Sequence, residues 1–569
     1  MPNGMSGPRA ATMGQPPHGR TAGQKPGRPR KPGSGADGLR HFLVQQGDPM
    51  LFSGLPAYRQ CKLRLAVSAA ILIGSIASGA LNPLQAQEIL RLPIATDFDS
   101  FDPDNAFEMD GLSAINNVYE GLVEYVPGSA EIRGLLATDW TISEDGLTYT
   151  FNLVQGATFH DGTPFNAEAV VTSFKRRKDS DLILSYFLWN MEKIEAVDDS
   201  TVAITLGMPQ PSFLDSLASP WSPKVISPAA LAEHAGTDNA TSWLDTNAVG
   251  TGPFTLASFD RGQGYALERF SGYYGKPAFF DTVELPLIPE VSQQVLSLQA
   301  QETDAVPANY PWAQLAALPP GLEITTAPST SLIIGFVKPD SPLTDPDIRA
   351  AFLTAVNPDN WVADAYGAYG HTAKSLYPTI MLDPKTPMAF PTDTAAAEAT
   401  VAAKGPITLT IGISTEEANA LTRVTDLMVA ELAGIGISAT VTILPSGAAF
   451  GLKDNPNGPD LYMGKLTPDA LHPENQAAIF FTEKAPINFY GRALPEADAL
   501  VNEAGTLTDI TARNALYEQA SQLYVDNGLF IPFVEVDDVV VHPEGLVGLD
   551  LRAAYAPGNI DYGSVRWAD

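Results

Sequence analysis

LATDWTISEDGLTYTFNLVQGATFHDGTPFNAEAVVTSF, residues 136–174, decides the reading of this chain. Glu144-Asp145-Gly146 has the residues of a tight turn. Residues 147–153 alternate Leu, Tyr, Phe and Leu against Thr, Thr and Asn, the period of a half-buried strand. Asp161-Gly162 turns the chain again. Asn166 then stands where a helix cap belongs, with Pro164 just upstream, Val170, Val171 and Phe174 on the apolar side, and basic residues at 175–178 near the far end. No part of the stretch is catalytic, so what it specifies is architecture.

Working outward, the chain has 569 residues, 45% hydrophobic and 17% charged, enough for large cores and more than one domain. Its charge is divided unevenly. Residues 1–86 hold ten Lys/Arg and only Asp37 and Asp48 as acids, which leaves 24 basic and 63 acidic residues for 87–569. So acidic a surface argues against nucleic acid and anionic membranes as partners. It suits cationic or zwitterionic ligands, and equally it keeps a protein dispersed. Residues 1–49 are rich in Gly, Pro and basic residues and have too little apolar surface to fold, so they read as a disordered or misassigned extension.

Residues 50–86 read as a secretory signal. Arg59, Lys62 and Arg64 precede an apolar run at 65–80, Pro83 breaks it, and cleavage is expected after Ala86, giving a periplasmic protein that is not embedded in the membrane. Cys61 is the only cysteine and precedes the apolar run, so neither a lipid anchor nor a disulfide, thiolate zinc site or cysteine nucleophile is expected in the mature chain.

The mature chain reads as α/β. Strands are expected at 88–95, 147–153, 193–196, 201–206, 253–258 and 265–270, a helix carrying Val118 and Tyr119, another at 292–300, and a strand starting at 303–306. Val249-Gly250-Thr251-Gly252-Pro253-Phe254 is a Gly-rich turn into a strand; Pro253 stands where a phosphate-binding helix would offer N–H groups, which argues against phosphate. Residues 331–337, SLIIGFV, and 530–541, FIPFVEVDDVVV, are apolar runs of the buried-strand kind. Between them a separate α/β pattern has helices at 347–356, 421–433 and 511–525 and strands at 407–413 and 438–444. The simplest arrangement inserts one lobe into another: lobe I at 87–330, lobe II at 331–530 and a return to lobe I at 531–569, with two adjacent crossings forming a hinge.

The opening stretch resembles the signature of the extracytoplasmic solute-binding proteins of the oligopeptide/dipeptide/nickel class, family 5, which feed ABC importers. Residues 249–283, 343–356 and 421–437 resemble the same family in the same order, so the likeness covers 88–569. It implies a two-lobed type II periplasmic-binding-protein fold with a two-strand hinge and no catalysis. It also implies a monomer, without cofactor, that passes a peptide-like or cationic solute unmodified to an ABC permease and ATPase. In peptide-binding relatives a carboxylate near Asp469 receives the ligand ammonium. Dipeptide-specific relatives carry an Arg in the loop that here reads Ser414-Thr415-Glu416-Glu417-Ala418-Asn419, two acids and no Arg, so a free dipeptide clamp is not expected.

Tyr119, Trp221, Tyr310, Trp312 and Tyr490 are the aromatic candidates for the cleft wall, each also fit for a core. His472 and Arg492 complete the ligand-binding set, with Asp469 at its head. Nickel would need imidazoles, and His160, His234, His371, His472 and His542 have no helical pair spacing, which leaves a meeting of His371 and His472 across the cleft as the one pairing open to it. An exported hydrolase would need an activated nucleophile, and no G-x-S-x-G or H-E-x-x-H is present. A periplasmic sensor or chaperone subunit on the same fold is the other alternative.

Overall fold

The computed structural model describes residues 88–551, apart from 108, 110 and 181, together with 559–568. The extension and the export signal lie outside the described residues.

The opening stretch folds as its local chemistry dictates. Thr148–Leu153 is a strand with Tyr149, Phe151 and Leu153 buried. Asp145 accepts the Leu147 N–H at 3.1 Å in the turn before it, and Gly146 takes a φ of 71°. Asn166 Oδ1 accepts the Ala169 N–H at 3.0 Å and starts the helix Ala167–Asp179. Upstream, Ala137–Ile142 forms a strand that the sequence did not suggest; it pairs antiparallel with Thr148–Leu153 across that turn. Thr201–Leu206 and Met191–Asp198 complete a four-stranded antiparallel sheet, and the helix Ala167–Asp179 covers it through Val170, Val171 and Phe174.

A second four-stranded sheet runs Ile89–Arg91, Thr282–Pro286, Gly264–Arg269, Phe254–Asp260, with only its first pair parallel. These two sheets and their helices make the first lobe. The expected strand at 303–306 does not form: the Asp304 carboxylate accepts the Arg91 N–H at 2.7 Å and the Asp304 N–H donates to the Arg91 carbonyl at 2.8 Å, so the segment caps the first strand instead of extending, and only Val306 makes a bridge, to Val541.

The second lobe is built on a six-stranded sheet ordered Gly370–Thr372, Phe530–Pro543, Leu322–Val337, Leu461–Leu466, Ile407–Ser414, Ile437–Leu444. Ile407–Ser414 and Ile437–Leu444 are parallel and joined by the helix Ala418–Gly434, as a parallel pair requires. In Leu322–Val337, Ile333 and Val337 enter one core, and Leu332, Ile334 and Phe336 enter the core on the opposite face. Burial on both faces is why this strand reads as an unbroken apolar run.

Leu322–Val337 and Phe530–Pro543 pair antiparallel with each other from Leu322↔Pro543 to Phe336↔Phe530. The register shifts between Ala327 and Ser331, opposite Asp538 and Val536. On one side of that break Ala327 and Val540 pack in a first-lobe core; on the other, Ile531, Phe533, Val534 and Val536 pack in the second lobe. This is the two-strand hinge. We propose that the lobe boundaries fall at this break, so that residues 531–536, placed by the sequence in the return to lobe I, are the last of lobe II.

Candidate functional site

The lobes touch through the loop that follows the strand Leu461–Leu466. Leu471 leaves the second lobe and is buried in the first-lobe core with Tyr125, Leu136 and Phe213. Its N–H donates to Tyr125 Oη at 3.0 Å, and that hydroxyl donates to Asp215 Oδ1 at 3.0 Å. Two residues earlier, Asp469 is half-buried and its carboxylate accepts a hydrogen bond from the Tyr186 hydroxyl of the first lobe. Asp469 therefore lies where the lobes meet, with Tyr186 opposite, a partner that only the three-dimensional arrangement reveals.

A cavity of about 590 Å³ is lined by Tyr310 and Trp312 from the first lobe and by Glu416, Glu417, Lys465 and Arg423 from the second. Trp312 packs edge-on to Tyr366 of the second lobe, ring centroids 5.5 Å apart. Asn309, with a left-handed φ of 56°, lines both this cavity and a smaller one in the first lobe bounded by Met109 and Tyr562. The loop at 414–419 thus presents Glu416 and Glu417 to an interlobe space.

The remaining sequence candidates have structural work. Tyr119 ends the helix Leu112–Val118 fully buried in the first lobe. Trp221 is buried under Phe107, stacked at 5.3 Å, so the exposed Phe107 and not Trp221 meets solvent. Tyr490 is buried in the second lobe and its hydroxyl donates to the Pro459 carbonyl. Arg492 donates to the carbonyls of Gly528 and Val337, fastening a loop to the ends of the two long strands. His472 is buried, its Nδ1 accepting the Glu474 N–H at 3.2 Å to cap the helix Pro473–Phe480. Burial, helped by Arg513, pushes the His472 imidazole down to about 3, so it is neutral. His371 instead reaches Asp537 at 3.2 Å. Both histidines belong to the second lobe, which removes the cross-cleft geometry a nickel site would have used. Among the described residues no three metal-ligating side chains come together.

Two motifs quoted from the sequence meet in the first lobe. His160 Nδ1 accepts the Gly250 N–H at 3.3 Å, which puts the ring proton on Nε2, where it donates to the Gly252 carbonyl at 3.0 Å. Gly250 and Gly252 are needed for close approach: a Cβ on either would lie 2.1 or 2.5 Å from the carbonyls of Val118 and Asn117. The Gly-rich turn is a packing device and holds no phosphate cradle. Behind it, Glu120 accepts from the hydroxyls of Tyr273 and Tyr274 at 3.0 and 3.1 Å.

Burial pushes the Glu120 carboxyl up to about 7, against hydrogen bonds from Thr251, Tyr273 and Tyr274 that favour its charge. Burial raises Asp215 and Asp538 to about 7 as well. Each folded value lies above the unfolded one, so the native state holds extra protons between those values. The stability they contribute is complete below the unfolded value and is lost as pH rises through about 7. Chemical denaturation at pH 5, 6, 7 and 8 is expected to show falling stability, with roughly 1–3 kcal/mol traceable to each carboxyl. Glu120→Gln should flatten the slope; an unchanged slope in that variant would show that Glu120 is ionised throughout.

Comparison with known proteins follows the same outline. Residues 131–487 match the family model described as bacterial extracellular solute-binding proteins, family 5 Middle. The glutathione-binding protein GsiB of Salmonella typhi is 27% identical over 493 residues, covering 84% of this chain and 94% of that protein. The crystal structure of the ABC transporter substrate-binding protein CtaP from Listeria monocytogenes superposes with a TM-score of 0.75 at 21% identity, over 85% of this chain and 100% of that one. The periplasmic binding protein DppA from Helicobacter pylori, in complex with the peptide STSA, gives 0.69 at 22% identity, over 85% and 99%. The fold is the two-lobed α/β, type II periplasmic-binding fold. Among the described residues no helix is long and apolar enough to cross a membrane.

Proposed function

Because the chain belongs to the family 5 bacterial extracellular solute-binding proteins, a substrate-binding class, we propose that it is the capture component of an ABC importer and works in the periplasm after cleavage near Ala86. It closes its two lobes on a small peptide-like or cationic solute and hands it, unaltered, to a permease and ATPase. It acts as a monomer, without catalysis and without nucleic acid. The observations that carry this reading are the cavity of about 590 Å³ lined from both lobes and, separately, a second-lobe loop seated in the first. The relatives named as binding glutathione and the peptide STSA support the solute class.

Asp469 is the proposed anchor for a ligand ammonium, with Tyr186 as the group it exchanges for the ligand. Tyr310 and Trp312 form the wall. Tyr119, Trp221, His472, Tyr490 and Arg492, buried or bonded within single lobes, are given structural roles and no contact with the solute. A charge-assisted hydrogen bond in a water-poor cleft is worth about 1.5–3 kcal/mol. Calorimetric titration is therefore expected to show Asp469→Asn weakening a peptide with a free amino terminus about 10- to 150-fold and sparing its N-acetylated form. Equal losses for both peptides would remove Asp469 from this role. The wider reading is tested by native mass spectrometry of protein purified from its own periplasm, which should carry a bound solute.

A further inference from the structure

The seam where the lobes touch holds carboxyl groups from both sides. Asp215 belongs to the first lobe, near the start of the short helix Phe213–Ala218. Tyr125 Oη accepts the Leu471 N–H of the second lobe at 3.0 Å and donates its own proton to Asp215 Oδ1, also at 3.0 Å. The second lobe sets two charged groups against the same carboxyl, Glu474 from the helix Pro473–Phe480 and Arg513 from the helix Ile510–Asp526. Glu474 also faces Ser212, three residues before Asp215. Among the described residues Arg513 makes no ion pair: its Nη1 donates to the Leu507 carbonyl at 3.4 Å and its Nε is buried without a partner. His472, beside Arg513, is neutral. Tyr149 faces Asp215 from within the first lobe, and the neighbouring hairpin adds only Glu124 and Arg133, bonded to each other at 2.9 Å. Closure thus draws two acids out of water beside one cation that pairs with neither. Burial raises both, Asp215 to about 7 and Glu474 above its ordinary range. When the lobes part, Leu471, Glu474 and Arg513 withdraw and water reaches Asp215.

We infer that closing the lobes takes up a proton at Asp215, so that acid favours the closed, solute-holding form and alkali favours the open one. The inference rests on the capture function proposed above and adds a regulator to it. The sign follows from linkage. The closed form holds this carboxyl at about 7, whereas in the open form it lies near its ordinary 3.8. The closed form therefore gains as pH falls below about 7 and loses that gain as pH rises through it, about tenfold in the closed-to-open ratio between pH 6 and pH 8. Glu120, bonded to Tyr273 and Tyr274 inside the first lobe, has the same surroundings in both forms and drops out of the comparison.

The test uses the full mature chain, which has no cysteine of its own after Cys61. Spin labels go on one exposed position of each lobe through Glu195→Cys and Glu496→Cys, and pulsed electron spin resonance counts closed and open molecules at pH 6 and pH 8. The closed-to-open ratio is expected to be about tenfold higher at pH 6. Asp215→Asn, which copies the protonated acid and still accepts from Tyr125, should stay as closed at pH 8 as at pH 6. Glu474→Gln should shrink the difference and carries the test if Asp215→Asn does not fold. Glu120→Gln should leave it at the wild-type value. Two distances whose populations ignore pH, a ratio higher at pH 8, or a pH dependence that survives Asp215→Asn or Glu474→Gln unchanged overturns the inference and leaves capture standing. A single distance at every pH also overturns it, and if native mass spectrometry then finds no solute on the protein, the capture reading fails with it.

Discussion

Replacing Arg177 with Ala is expected to cost roughly 3–5 kcal/mol of stability, the usual loss when one partner of a buried ion pair is removed. Arg177 is fully buried. Its Nε donates to Asp104 Oδ1, its Nη1 to the Trp221 carbonyl at 2.6 Å and its Nη2 to the Pro103 carbonyl. Next to it Arg176 donates to both Asp102, Nη1 to Oδ1 at 2.9 Å, and Asp104. Truncation at 177 leaves two buried carbonyls without a donor and Asp104 with one cation instead of two. Arg177→Lys should recover only part of the loss, because one ammonium cannot satisfy three acceptors set around a planar fork. Urea denaturation of both variants checks this; a loss under 1 kcal/mol for Arg177→Ala would mean that the cluster contributes position and little stability.

Leu471→Ala is expected to act on closure more than on folding. The side chain is 4% exposed and sits in a core that belongs to the other lobe. Truncating a well-buried Leu costs about 2–5 kcal/mol, and here that cost falls on the closed arrangement. The fraction of closed molecules, and with it solute affinity, should drop by a factor on the order of 30 or more. X-ray scattering should show a larger radius of gyration for the variant at equal ligand concentration, with an unfolding midpoint changed far less than for Arg177→Ala. Tyr125→Phe removes the acceptor of the Leu471 N–H and should reproduce part of the effect. Wild-type compaction in Leu471→Ala would show that the lobes close without this contact.

The sequence exposed features whose causes are local. The Asn166 cap, the alternation at 147–153, the Asp-Gly turns and the helix Pro346–Ala355 behind Asp345 each depend on neighbours within four residues. The two long strands were legible because burial on both faces leaves a continuous apolar run. The ion cluster was not, because Asp102 and Asp104 stand more than 70 residues from the arginines they meet, and a basic run at a helix end reads first as solvated charge. The same holds at the site. The acids at 416 and 417 could be read as a departure from the relatives' arginine, but their meeting with Tyr310 and Trp312 needs the lobes assembled. Aromatic candidates divided by surroundings that no single residue advertises: Tyr310 and Trp312 face a cavity, Trp221 lies under Phe107, and Tyr490 is tied to Pro459. Ala137–Ile142 escaped notice because four of its six residues are exposed and give no apolar signal.

The paired strands Leu322–Val337 and Phe530–Pro543 are bonded to each other on both sides of their register shift. A paired ribbon with such a break bends more readily at the break than along its regularly bonded lengths. We expect the lobes to swing about this break as on a single axis, with the gap widening along the edge farthest from it. Solute must enter and leave by that one edge, so whatever accepts the cargo has to approach from there and can tell a loaded carrier from an empty one by the distance between its two rims.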